Sequence, residues 1–183
     1  MKERPILFNG EMVRAILDGR KTQTRRVIKW EALHKQAGLP FPTKVRLAWF
    51  NLLQGWGLDA GDNVLREVKC PYGLPGDRLW VREAFRCNGW ATDMATIFYK
   101  AHENASYTEM CEQFPVADHK PLPVDTRWRH SIYMPRWASR ITLEITDVRV
   151  ERLQEISEKD AESEGMRESL GCHLAVEEFM ELW

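Results

Sequence analysis

The first apolar pattern in the chain predicts a helix. Hydrophobic residues recur at helical spacing over residues 12–17, namely Met12, Val13, Ile16 and Leu17. Asn9 occupies a suitable N-cap position, and Gly19 stands where a left-handed residue commonly ends a helix. The helix is therefore predicted to end just before Lys21, at the start of a run of cations and hydroxyls.

Three later segments are predicted as strands. Residues 79–85 form an apolar run after a Pro-Gly turn signal, and residues 95–101, with the sequence ATIFYKA, form a second run. Residues 141–150 alternate apolar and polar positions with one slip in phase, which is typical of a strand with a bulge.

A short acidic helix is predicted over residues 158–164. Ser157 and Asp160 have a spacing similar to that of a capping box, and Gly165 is placed to end the helix.

The order of these elements favours an α+β fold. A regular βαβ rhythm is absent, so we expect a mainly antiparallel sheet or small barrel with flanking helices. A single domain is expected over residues 1–183. Segments at about 30–70 and 102–129 lose their periodicity and are predicted to be irregular insertions.

Composition places the chain among globular proteins, with 44% hydrophobic and 29% charged residues. The sequence has no signal peptide and no apolar run of about 18 residues, so we expect a cytoplasmic protein without a membrane partner. The four cysteines form no CxxC pair, and the five histidines lack metal-site spacing. We expect no metal and no cofactor.

Charge is unevenly distributed along the chain. Residues 1–50 hold eleven Lys and Arg against four Asp and Glu, whereas residues 151–183 hold three against ten. The two ends are predicted either to face each other as complementary surfaces or to include a basic patch for phosphates.

Lys21 and Thr24 form the first candidate for catalysis. They stand three residues apart after the helix, so their side chains can project from the same side of the turn. A threonine hydroxyl becomes a nucleophile when a base takes its proton, and a neutral lysine amine can serve as that base. Like charge from Arg20, Arg25 and Arg26 would lower the lysine pKa. A phosphate-binding or helix-capping role for the cluster remains the alternative.

Three motifs, in order and context, resemble the ASCH domain, the activating-signal-cointegrator homology branch of the PUA-like barrels. They are GRKTQTRR after the first helix, PGD at residues 75–77 before a strand, and ISEKDAESEGM at residues 156–166. With its insertions and the stretch GDRLWVREAF, the chain looks most like the larger ASCH proteins of phages and prophages.

The resemblance implies a catalytic set. In small bacterial ASCH enzymes that remove the acetyl group from N4-acetylcytidine, the first motif supplies a lysine and a threonine and the third supplies a glutamate. It implies Lys21 as base, Thr24 as nucleophile on the acetyl carbonyl, and Glu164 as proton relay or lysine partner. Three cations are expected to bind substrate or RNA: Arg20, Arg25 and Arg26.

Glu83 is a rival carboxylate just after the PGD strand, and it is the remaining candidate for substrate or RNA binding. The alternative for Glu83 is an ion pair with Arg82 or Arg86 at the rim of the barrel.

The end of the chain departs from the family pattern. Family members usually continue into an aromatic strand that helps to close the barrel, whereas this chain stops at Trp183. We expect a PUA-like barrel without its last strand, with the open edge covered by the insertions or by a homodimer.

Three functions follow as hypotheses. The first is an amidohydrolase acting on N4-acetylcytidine or a related modified base. The second is a non-catalytic RNA-binding module, since PUA-like barrels commonly hold RNA. The third is an ASCH-type ribonuclease.

Overall fold

The computed structural model describes residues 1–50, 55–61, 65–91, 93–115, 119, 122–166 and 175–181. The helices in these residues are α1 Gly10–Leu17, α2 Trp30–Gln36, α3 Tyr107–Met110, α4 Glu158–Ser163 and α5 Ala175–Glu181. The strands are β1 Glu3–Leu7, β2 Arg46–Phe50, β3 Gly55–Asp59, β4 Leu65–Val68, β5 Arg78–Arg82, β6 Phe85–Trp90, β7 Met94–Tyr99, β8 Cys111–Pro115 and β9 Thr142–Glu144.

These strands form three small sheets, in the orders β1-β5-β9, β2-β3-β4 and β6-β7-β8. Only β1 and β5 pair in parallel among the described strands, and the other neighbours are antiparallel. The predicted α+β class, mainly antiparallel, is confirmed. The described strands do not join into one closed barrel.

The first sheet and α1 enclose one hydrophobic core. Strand β5 is the central strand of the sheet, and its residues Leu79 and Val81 are buried. Val13 of α1 packs into the same cluster as Ile6 and Phe8 from the first strand region. This packing fixes the end of α1, and therefore Lys21, next to the edge strand β1.

The predicted strand over residues 79–85 is interrupted. Glu83 and Ala84 separate β5 from β6, and the two strands belong to different sheets. Glu83 is buried at this break. The apolar residues on either side therefore enter two cores, the second of which contains Phe85 and Tyr99.

The bulged strand predicted over residues 141–150 was wrong in its length. Strand β9 ends at Glu144, because its partner β5 begins only at Arg78 and the Pro-Gly turn precedes it. The Ile145 N–H still donates to Asp77 O at 2.9 Å, after which the chain leaves the sheet. Val148 nevertheless packs against the first core, which explains its apolar character.

The two segments predicted as irregular contain regular structure. The segment at 30–70 holds α2 and the antiparallel sheet β2-β3-β4, and the segment at 102–129 holds α3 and β8. The periodicity is hidden because each element is short. His34, for example, is a buried residue of α2 whose Nδ1 and Nε2 lie 2.8 and 2.9 Å from the backbone carbonyl oxygens of Trp30 and Thr43.

The C-terminal helices form a third cluster. Ile156, Ala161, Ala175 and Phe179 are buried together where α5 packs on α4. In the part of the chain that the structure describes, no helix is long and apolar enough to cross a membrane.

Candidate functional site

The end of α1 positions the first motif. The Asn9 side chain accepts a hydrogen bond from Met12 N, and Gly19 adopts a positive φ of 72°, as both positions predicted. The N–H groups of Arg20 and Lys21 then both donate to Ala15 O at 2.9 Å. These bonds turn the chain back across the end of the helix and direct Lys21 inward.

The first motif docks on the end of α4. Thr22 N and Gln23 N donate to Ser163 O at 2.8 and 2.9 Å. These two backbone N–H groups satisfy a carbonyl group at the C-terminal end of α4, which has no partner within the helix. A side chain on Gly165 would crowd this junction, because its Cβ would lie 3.0 Å from Ala15 Cβ and 3.3 Å from Lys21 Cβ. Gly165 also has a positive φ of 95°. The backbone itself therefore joins the first and third motifs.

Lys21 and Glu164 meet in this junction. Lys21 Nζ lies 2.6 Å from Glu164 Oε2 and 2.7 Å from Glu164 O, and the two side chains are 2% and 5% exposed. The acidic C-terminal part of the chain thus faces the basic N-terminal part, which is the complementary arrangement predicted from the charge distribution.

Burial sets the protonation of this lysine. It lowers the pKa of Lys21 by disfavouring the charged ammonium, and the hydrogen bond and charge of Glu164 oppose the shift. The positive charges of Arg26 and Arg25 lower the pKa further, as expected from their proximity in sequence. The lowered pKa makes the neutral amine, which can act as a base, easier to form.

Thr24 has a buried hydroxyl without a hydrogen-bond partner. Its Oγ1 is shielded from solvent and contacts no donor or acceptor among the described residues. Leaving such a group unpaired costs about 1–3 kcal/mol. Buried unpaired polar groups in folded proteins are rare, and a reactive role is one explanation for them.

The three arginines predicted to bind substrate have different surroundings. Arg20 donates to Gly165 O at 3.1 Å and to Asp18 Oδ2 at 2.9 Å. Arg25 contacts three carboxylates, those of Glu151, Asp160 and Glu164. Arg26 donates to Leu7 O at 3.0 Å, with its guanidinium 5.4 Å from the centre of the Phe8 ring.

A cleft opens beside Arg26. It has a volume of about 480 Å³ and is lined by β1, the start of α1, Arg26 and Tyr72. Lys21 Nζ lies 6.0 Å from the centre of the Phe8 ring, the same ring that Arg26 contacts. Arg26 thus contacts the Phe8 ring and lines the cleft, whereas Lys21, Thr24 and Glu164 do not line it.

Glu83 lies elsewhere, in a second buried ion pair. Its Oε1 and Oε2 accept from Arg140 Nε and Nη2 at 2.9 and 3.0 Å, so the predicted pairing with Arg82 or Arg86 was wrong. Burial raises the pKa of the Glu83 carboxyl, and Arg140 opposes that shift. No regular spacing links these two residues in sequence, so the sequence held no signal for the pair.

Several contacts at the site were not predicted. Gln23 Nε2 donates to Asp160 Oδ1 at 2.7 Å, and Arg149 contacts Asp160 and Glu151 at 3.5 and 3.2 Å. No group of three or more metal-ligating side chains occurs in the residues that the structure describes.

Comparison with known proteins adds no further assignment. No protein-family model, curated protein or solved structure matches the chain. The candidate site therefore stands on its own geometry.

Proposed function

We propose that this chain is an ASCH-type amidohydrolase that removes the acyl group from N4-acetylcytidine or a related modified base. The observation that carries the proposal is the buried contact of 2.6 Å between Lys21 Nζ and Glu164 Oε2. It brings together the lysine of the first motif and the glutamate of the third, residues 143 positions apart.

The contacts of Lys21 suit a base. A neutral amine has two N–H groups and one lone pair. With the N–H groups donated to Glu164 O and Oε2, the lone pair is left to accept the proton of a hydroxyl. The hydroxyl assigned to it is that of Thr24, which forms no hydrogen bond to Lys21 or to any other described group, so the transfer requires the Thr24 side chain and the Lys21 amine to move together.

The reaction then follows from three residues. Thr24 Oγ1 attacks the acyl carbonyl carbon while Lys21 takes its proton. The C–N bond breaks, and the departing N4 amine receives that proton from Lys21, with Glu164 stabilising the lysine in both states. Water then attacks the threonine ester while Lys21 takes one of its protons. The ester C–O bond breaks, Lys21 returns the proton to Thr24 Oγ1, and the carboxylic acid is released. The net change is hydrolysis of one amide bond.

The cleft beside Arg26 is the proposed substrate site. Arg26 belongs to the first motif and lines this cleft, which is the reason for the choice. Tyr72 and Met12 provide apolar walls for a base, and the Arg26 guanidinium provides donors. Lys21 is buried and does not line the cleft, so an acylated nucleoside bound there reaches the amine only if the side chains between them move.

Binding of RNA through the N-terminal arginines is the weaker alternative. Arg20 and Arg25 already contact oxygen atoms of the protein, so they present fewer free donors to phosphate groups. A ribonuclease reaction at Lys21 would use the same buried amine but needs access for a larger substrate.

The test is the release of cytidine from N4-acetylcytidine by the full chain, followed by chromatography. We expect turnover by the unmodified protein and none by Thr24→Ala. Thr22→Ala is the matched control, because it removes an exposed hydroxyl from the same segment and should retain turnover. Cleavage of a labelled RNA without metal, in place of cytidine release, would favour the ribonuclease. Absence of any turnover on acylated bases would overturn the proposal.

A further inference from the structure

Arg25 occupies a crowded position beside the candidate site. Its Nη2 lies 2.9 Å from Glu151 Oε2 and 3.5 Å from Asp160 Oδ2, and its Nη1 lies 3.3 Å from Glu164 Oε1. The side chain is only 16% exposed, and its guanidinium lies 5.8 Å from the centre of the Phe179 ring. These contacts hold the guanidinium on several sides.

The Glu164 carboxylate is shared between two cations. Its Oε2 contacts Lys21, and its Oε1 contacts Arg25. The terminal torsion of a glutamate is broad and soft, so one contact alone would leave the carboxylate free to rotate. A second contact on the other oxygen limits that rotation.

We propose that Arg25 is a positioning residue of the hydrolase site, which holds Glu164 by Oε1 so that Oε2 stays on Lys21 Nζ. This inference rests on the proposed function for its catalytic meaning. Arg25 acts through Glu164 and is not assigned a contact with substrate.

Permanent charge suits arginine to this position. A guanidinium keeps its proton under all working conditions, so Arg25 offsets part of the Glu164 charge whatever the state of Lys21. The negative charge of Glu164 is therefore shared, and only part of it is left to stabilise the Lys21 ammonium. This reduces the stabilisation of its ammonium form and agrees with the lowering of the Lys21 pKa by Arg25.

The groups around Lys21 shift its pKa in opposite directions. Glu164 is in direct contact and raises the lysine pKa, whereas burial, Arg26 and Arg25 lower it. The other charged groups of the network lie behind Arg25, namely Glu151, Asp160 and Arg149. Loss of Arg25 removes a repelling cation and leaves the full charge of Glu164 to Lys21, and both changes raise the pKa of Lys21.

A purely structural brace predicts a different result. Arg25 also connects the segment around Glu151 with α4 and α5, so its loss could lower thermal stability without affecting Lys21. The readout must therefore follow the lysine itself.

The test is NMR titration of the ¹⁵N-labelled Lys21 amine in the full chain, with Arg25→Gln compared to Arg149→Gln. Arg149 contacts Glu151 and Asp160 but has no contact with Glu164 among the described residues, so it is the matched control. We expect the Lys21 titration to move to higher pH in Arg25→Gln and to move much less in Arg149→Gln. An unchanged titration in Arg25→Gln, or equal shifts in both variants, would overturn the inference.

Kinetics provide the second readout. With N4-acetylcytidine, the rise of kcat with pH should shift to higher pH in Arg25→Gln. Turnover at neutral pH should fall about tenfold for each unit of that shift, while KM changes little. Arg25→Lys keeps a charge and should recover part of the loss, which also serves if Arg25→Gln folds poorly.

The two proposals fail in different ways. If the unmodified chain has no turnover, the hydrolase function is wrong, and the NMR titration alone decides whether Arg25 controls the Lys21–Glu164 pair. If the unmodified chain turns over but Arg25→Gln keeps the same pH profile, the function stands and the positioning role is wrong.

Discussion

Among the residues that the structure describes, two ion pairs between distant parts of the chain are almost fully shielded from solvent. Lys21 and Glu164 have side chains 2% and 5% exposed, and Arg140 and Glu83 have side chains 7% and 2% exposed. Burial alone does not distinguish them. The difference lies in the cation and in what surrounds it.

Arg140 satisfies its carboxylate completely. Its planar fork donates to both oxygens of Glu83, and its guanidinium lies 3.9 Å from the centre of the Tyr99 ring. Such a bidentate arrangement is strong and geometrically specific, and the arginine cannot release its proton. This pair connects the break between β5 and β6 to the loop before β9.

Lys21 contacts only one oxygen of its carboxylate, and Thr24 nearby in sequence has a hydroxyl without a partner in the described residues. Burial also lowers the pKa of this lysine. A titratable cation and an unsatisfied hydroxyl are a poor choice for stability but a suitable one for proton transfer. Under the proposed function, the type of cation therefore separates a structural pair from a catalytic one.

The largest effect is expected from a substitution in the Lys21–Glu164 pair. Lys21→Arg keeps the positive charge beside Glu164 but removes the ability to act as a base. We expect turnover of N4-acetylcytidine to fall by about 10²–10⁴-fold, the usual contribution of general base catalysis. Steady-state kinetics, with circular dichroism to confirm folding, measures this. Activity that survives in Lys21→Arg would show that the site uses charge and not basicity.

The next largest effect is expected from a substitution in the Glu83–Arg140 pair. Glu83→Ala leaves Arg140 buried without a counter-charge, so we expect the free energy of unfolding to fall by about 3–5 kcal/mol. Urea denaturation measures the change. A double variant, Glu83→Ala with Arg140→Met, removes both charges and should recover a large part of the loss. A cost near zero for Glu83→Ala would mean that this pair contributes no more than a surface contact.

Local patterns predicted the helices around the site well. The caps of α1 and α4 follow from Asn9, Gly19 and Ser157, because these residues act through hydrogen bonds and backbone angles within a few positions. The pairing of Lys21 with Glu164 was implied by the resemblance to ASCH motifs. Its geometry agrees with that expectation, whereas the assignment to the family stays a proposal.

Contacts between distant residues were not predictable from one sequence. Glu83 was given Arg82 or Arg86 as a partner because they are neighbours in the chain, yet Arg140 reaches it through the fold. Arg25 was expected to be free for phosphate, since the sequence does not reveal the carboxylates that surround it. Charge patterns indicate which groups seek a partner, and tertiary structure decides which partner they find.

A smaller effect concerns the dependence of stability on pH, which is expected for the Lys21 pair and not for the Arg140 pair, because arginine keeps its proton. Folded Lys21 gives up its proton at a lower pH than the lysine of the unfolded chain, whose reference pKa is 10.5. Between these two values unfolding takes up a proton, so the free energy of unfolding rises with pH, by no more than about 1.4 kcal/mol per pH unit. Lys21→Met should lose this rise.

Denaturation curves between pH 7 and 10 measure this slope as a difference between the unmodified chain and each variant. Lys35→Met, which removes an exposed lysine of α2, gives the effect of losing one lysine at the surface. Equal slopes for Lys21→Met and Lys35→Met would contradict the lowered pKa of Lys21.

The smallest effect has the opposite sign. Thr24→Val replaces the unpaired buried hydroxyl with a methyl group of similar shape, so the cost of burying that hydroxyl disappears. We expect the free energy of unfolding to rise by about 1 kcal/mol, at the low end of the penalty for an unsatisfied polar group. Thr22→Val, at an exposed position in the same segment, should give no such gain. The same Thr24→Val protein should have no turnover, because it lacks the nucleophile.

Greater stability together with lost activity is the behaviour of a residue kept for chemistry at the expense of stability. A clear loss of stability would instead mean that the Thr24 hydroxyl is hydrogen-bonded in solution, which would contradict the cost assigned to its burial.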